Sequence, residues 1–132
     1  MNQVQYWNKE LETMPWEKRE SLQLERFRER MAYVVAKSPM YQKKYDDAGI
    51  KPSDIQTLSD ISRVPFTVKE ELRESQKRKP PWGDFMCVPP EEGVRVFQTT
   101  GTTGIPVKVM LNKKDWTVHF YEQFMHFMYA YG

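Results

Sequence analysis

"VRVFQTTGTTGIPVKVML", residues 94–111, places two short apolar runs on either side of a loop with four threonines and two glycines. The alternation in "VRVFQ", repeated in "VKVML", predicts two strands joined by that loop. A bound phosphate chain needs several donors converging on its oxygens, and a backbone so close that a Cβ would intrude. Gly101 and Gly104 allow such an approach, while the hydroxyls of Thr99, Thr100, Thr102 and Thr103 and the exposed amides supply donors. Pro106 stiffens the exit from the loop, and Lys108 adds charge nearby. The pattern is not a Walker loop, because it lacks G-x-x-x-x-G-K-[ST] and no helix follows directly. Residue chemistry alone fits two readings equally well: a phosphate-binding loop, and a polar hairpin turn between β-formers.

Upstream, the first ninety residues predict helices separated by turn signals. Pro15 suits a first helical position, with Thr13 or Met14 near the cap. Leu24, Phe27, Met31, Val34 and Val35 then recur at helical spacing, with charged residues on the other face. "SPMY" ends that helix, since Ser38 before Pro39 is pushed out of the α region and can cap the next one. "PMYQKKYDDAG" predicts a short helix closed by Gly49. A further short helix starts from Thr57 or Ser59 and stops at Pro65. Thr67 with Glu70 three residues later is a capping-box pattern for the helix in "FTVKEELRES". "QKRKPPWGDFMCVPPEEG" predicts a loop, and its Lys77, Arg78, Lys79 run a solvated helix end in preference to an anion patch.

Composition bounds the function. The chain has 132 residues, 39% of them hydrophobic and 29% charged, as in an ordinary folded domain or a piece of a larger one. A net charge of +2 is too small to imply a nucleic-acid or anionic-membrane partner. With Cys87 as the lone cysteine there is no intrachain disulfide and no CxxC. Signal-peptide and transmembrane patterns are absent, so the cytoplasm is the default compartment.

"TTGTTGIP" resembles the phosphate-binding signature of adenylate-forming enzymes, [ST][SG]GTTGxP. "YWNKELETMP", "LQLERFRERMAYVVAKSPMYQKKYDDAGI", "LSDISRVPFTVKEELRES" and "WGDFMCVP" run in the same order as the N-terminal part of phenylacetate–CoA ligases. The resemblance implies an α+β or α/β segment: an N-terminal helical layer (1–90), then the first strands and helix of an adenylate-forming domain (91–132). It also implies ATP and magnesium as cofactors, with coenzyme A as co-substrate, for formation of an acyl-adenylate and then a thioester. On this resemblance Thr99, Thr100, Gly101, Thr102, Thr103 and Gly104 hold the β- and γ-phosphates as they leave. Ile105 and Val107 depart from the lysine or threonine common there, which implies a weaker grip. The family's magnesium-binding glutamate, catalytic lysine and acyl pocket have no counterparts here. The chain is therefore expected to be a truncated ligase, inactive alone and binding ATP weakly or not at all. The alternatives are a free-standing helical interaction module and an inert remnant of a disrupted ligase gene.

Asp115 leads into a final, aromatic-rich helix. Trp116, Phe120, Phe124, Phe127 and Tyr131 make one apolar stripe, and His119, Glu122 and His126 fall on the polar strip opposite. That strip reads as solvated in preference to a metal site. Cys87 reads as a small buried residue and Asp46–Asp47 as surface charge. So apolar a helix predicts self-association through Trp116, Phe120, Phe124, Phe127 and Met128, or packing against the missing remainder of the ligase.

Overall fold

A computed structural model describes residues 6–100 and 104–131. Asn8 opens the first helix, α1 (Lys9–Glu12), by accepting from Leu11 N at 3.1 Å. Pro15 is the cap of α2 (Trp16–Lys37) and not its first residue, one position off the expectation. Met31, at the centre of the α2 apolar face, is buried with Tyr45, Ile50 and Ile55. Leu24, Phe27, Val34 and Val35 pack around them, as their spacing predicts.

Ser38 ends α2 and begins α3 (Pro39–Asp47). Its backbone is extended, as a residue before proline must be, and its Oγ accepts from Tyr41 N at 3.3 Å. Helix α3 closes on Gly49, whose φ of +62° lets Gly49 N reach Asp46 O and Ile50 N reach Tyr45 O. That turn drops Ile50 into the core beside Tyr45. The "TLSDISR" segment is a 3₁₀ helix, Leu58–Arg63, capped at Thr57. The carboxylate of Asp60 gathers Thr57 N at 2.8 Å and Gln56 N at 3.0 Å, which tightens the turn.

Helix α4 (Lys69–Arg78) starts one residue later than Thr67 and Glu70 imply. Glu71 is the residue that reaches back, accepting from Val68 N at 2.8 Å. The choice is made by α3: Lys44 Nζ, 12% exposed, holds Glu71 Oε2 at 2.6 Å and also donates to Phe66 O. Glu70 pairs with Arg73 instead. Gly83 and Asp84 lie in the following loop. Asp84 accepts from the Ser75 hydroxyl and from Arg78, while its carbonyl accepts from Ser38 Oγ and Met40 N. One residue thus ties the end of α4 to the start of α3.

Strands β1 (Gly93–Gln98) and β2 (Lys108–Asn112) pair antiparallel, with Val96 opposite Met110 and Phe97 opposite Val109. The architecture is therefore α+β, mostly helical with one two-stranded sheet. Asn112 and Asp115 exchange side-chain-to-backbone hydrogen bonds at 2.8 and 3.3 Å, starting the last helical segment. It runs as a π-helical stretch, Asp115–Tyr121, and then as α5 (Glu122–Tyr131). The wider π turns shift the phase of the aromatic stripe predicted at regular helical spacing. Trp116 and Phe120 stack on each other with centroids 4.8 Å apart and cover Phe97 of β1.

The polar strip of this helix is only partly solvated: His119 is exposed, as the sequence predicts, while Glu122 and His126 are half-buried. Trp7 Nε1 donates to Glu122 at 2.6 Å, His126 Nδ1 lies 2.8 Å from Glu12, and Arg30 donates to His119 Nε2 at 2.6 Å. Trp7 also packs on Tyr121 and Tyr129. Phe124, Phe127, Met128 and Tyr131 are left exposed. The polar edge therefore docks on the helical layer, and much of the apolar stripe faces outward.

Candidate phosphate-binding loop

The hairpin neck is closed by Thr99. Its N–H donates to Val107 O at 3.0 Å, and its Oγ1 accepts from Val107 N at 3.1 Å. The hydroxyl hydrogen of Thr99 stays available while the oxygen fixes the neck. Val107 is 2% exposed, so the residue standing where related enzymes carry a polar side chain anchors the loop in the core. Thr100, Gly104 and Ile105 are exposed. Gly101, Thr102 and Thr103 lie outside the described residues.

Helix α4 holds the loop from one side. Gln76 donates to Lys108 O at 2.7 Å and accepts from Lys108 N at 3.2 Å, so its amide occupies the outer edge of β2 as another strand would. One turn earlier, Arg73 Nε donates to Ile105 O at 3.2 Å and Nη1 to Glu70 at 2.6 Å. Arg73 Nη2 is buried and has no hydrogen-bond partner among the described residues. Neither side chain was singled out from sequence. Their spacing places both on one face of a helix, but only the fold shows that this face meets the hairpin.

The Lys77–Lys79 run is dispersed into local pairs, Lys77 with Glu74 at 2.6 Å and Arg78 with Asp84 at 3.0 Å. Burial alone would raise the Asp84 carboxyl, but hydrogen bonds from Ser75 and Arg78 outweigh it and hold it below the ordinary range. Cys87 is half-buried and not fully buried as expected, and burial pushes its thiol up. His119, Glu122 and His126 each pair with a different residue. No group of three His, Cys, Asp or Glu side chains among the described residues could hold a metal ion. No helix among them is long and apolar enough to cross a membrane.

The helical layer and the hairpin together match part of the fold of adenylate-forming acid–CoA ligases. A 2-hydroxyisobutyryl-CoA ligase, solved with 2-HIB-AMP and CoA, superposes with a TM-score of 0.86 at 37% identity, over 94% of this chain and 26% of that one. An open conformation of that ligase, also with 2-HIB-AMP and CoA, gives 0.85 at 34% identity. In sequence, the chain is homologous to phenylacetate–coenzyme A ligases. It is 43% identical to that of Thermus thermophilus over 106 residues, covering 80% of this chain and 23% of the relative. The Escherichia coli enzyme is 34% identical over 105 residues, with the same coverage. The chain thus spans about a quarter of the length of the relatives it matches. No family model matches it.

Proposed function

We propose that this chain is the N-terminal part of an ATP-dependent acid–CoA ligase, and that it contributes the loop holding the β- and γ-phosphates. The observation that carries the reading is the homology to phenylacetate–coenzyme A ligases across 80% of the chain. The loop geometry agrees with it. A neck braced at Thr99 and Val107 holds together the two ends of a loop whose sequence is rich in hydroxyls and glycines. ATP and coenzyme A are the co-substrates of the whole reaction, acyl-adenylate first and thioester second. Taken alone, the segment leaves that reaction incomplete.

A chimera tests this. The matching segment of the Thermus thermophilus relative is replaced by this chain, and acid-dependent exchange of pyrophosphate into ATP is measured. We expect exchange in the chimera, its loss with Gly101→Val, and none from the isolated chain. A folded but inactive chimera, or exchange by the isolated chain, overturns the proposal.

A second reading concerns association and is favoured by the outward face of the last helical segment, the π-helical stretch with α5. Phe120, Phe124, Phe127 and Met128 are between 44% and 58% exposed, a patch that a second copy of the chain would cover.

A further inference from the structure

Helix α4 carries a guanidinium to the base of the threonine–glycine loop. The Arg73 side chain is 14% exposed, and two of its nitrogens are engaged: Nε with Ile105 O and Nη1 with Glu70. Nη2 is buried without a partner among the described residues. Buried guanidinium N–H groups are normally paired, so this edge calls for an acceptor that the described residues do not supply. Gly104 borders it: a Cβ there would lie 3.7 Å from both Cζ and Nη2 of Arg73, an ordinary van der Waals contact. Residues 98–107 contain no basic side chain. Hydroxyls and amides can orient a polyphosphate but do not neutralise it; a guanidinium does both. Glu70 does not cancel that charge, because its carboxylate is 70% exposed and screened by water.

We propose that Arg73 is a polyphosphate-binding residue of this loop, its Nη2 donating to a phosphate oxygen while its Nε holds Ile105 in place. This rests on the loop being a phosphate site. Inorganic pyrophosphate titrated into the isotopically labelled chain tests both, read at the amides around the loop and at the Arg73 Nε–H resonance. Wild-type protein should shift at both. A charge-assisted hydrogen bond is worth about tenfold in affinity or more, so Arg73→Met should weaken binding by at least that. Arg73→Lys, which keeps the charge and loses the fork, should recover part of it. Lys77→Met removes the same charge from an exposed side chain and should leave affinity unchanged. Loop shifts with an unmoved Arg73 resonance and unweakened Arg73→Met overturn the proposal and leave the phosphate loop standing. If no amide near the loop responds in wild-type protein, both fall. Should Arg73→Met not fold, the wild-type side-chain resonance and Arg73→Lys decide the matter.

Discussion

Replacing Gly83 with alanine should be among the most damaging single-methyl changes in the helical layer. Gly83 has a φ of +85°, where a side chain is strained before it touches anything. Its Cβ would also lie 2.7 Å from Ser75 Oγ and 2.8 Å from the Phe85 ring. Neither neighbour can retreat easily. Ser75 is fully buried, and its hydroxyl both donates to the Asp84 carboxylate and accepts from Asp84 N at 2.8 Å. Left-handed strain, overpacking and the weakened Ser75–Asp84 bonds together cost about 4 kcal/mol. Gly49→Ala is the control, because its φ is +62° yet nothing lies within 4 Å of the added Cβ. Strain alone costs about 1 kcal/mol there. Urea unfolding followed by far-UV circular dichroism separates the two. With an m-value of about 2 kcal/mol/M, the midpoint should fall by about 2 M for Gly83→Ala and about 0.5 M for Gly49→Ala. Equal shifts for the two variants would refute the steric argument.

Two further perturbations address the neck of the loop and the junction of α3 with α4. Val107→Ala removes buried methyl groups from a residue 2% exposed and should cost about 2 kcal/mol, with faster amide exchange at Thr99. Hydrogen bonds from Lys44, then from Val68 N, hold the Glu71 carboxyl below its ordinary value of 4.5. A depressed carboxylate contributes stability that is present above its unfolded pKa and lost as pH falls through the folded one. Glu71→Gln should therefore be less stable than the parent near neutral pH and converge with it as pH falls below 4.5, measured by thermal melts across that range.

Local rules made several elements legible. Ser38 before Pro39 forces an extended residue and supplies a cap, and Gly49 closes α3; both follow from neighbouring atoms alone. Alternation predicted both strands, which pair with each other with a single irregularity between Gly93 and Arg95. The helix starts misread at Pro15 and Thr67 were each one residue off. At α4 the decision belongs to Lys44, twenty-seven positions away from Glu71 in sequence. The loop was legible as a cluster of glycines and hydroxyls. Its supports were not, because Arg73 and Gln76 resemble ordinary surface residues of a charged helix until the hairpin folds onto them. Glu122 and His126 are half-buried for the same reason, while His119 stays exposed as expected. Their partners, Arg30, Trp7 and Glu12, come from the other end of the chain.

The docking of the last helix by its polar edge leaves a broad apolar face outward, and it should drive self-association. Trp116 and Phe120 are partly covered by Phe97, while Phe124, Phe127 and Met128 remain about half exposed and Tyr131 81% exposed. Covering a half-exposed side chain of this size gains about 1 kcal/mol, so two copies packing these faces together gain about 8–10 kcal/mol. Lost translational and rotational freedom costs at least about 4 kcal/mol of that. The remainder corresponds to dissociation constants from about tens of micromolar to millimolar. Association should therefore depend on concentration. Light scattering from about ten micromolar to one millimolar should show the weight-average mass rising toward that of a dimer. Phe124→Glu with Met128→Glu should hold it at the monomer value, since a carboxylate on each face would be desolvated against its symmetry mate. The double variant should melt at the parent temperature when dilute, because neither side chain belongs to the core around Met31. A parent that stays monomeric throughout this range, or a double variant that associates as strongly, would sink the idea.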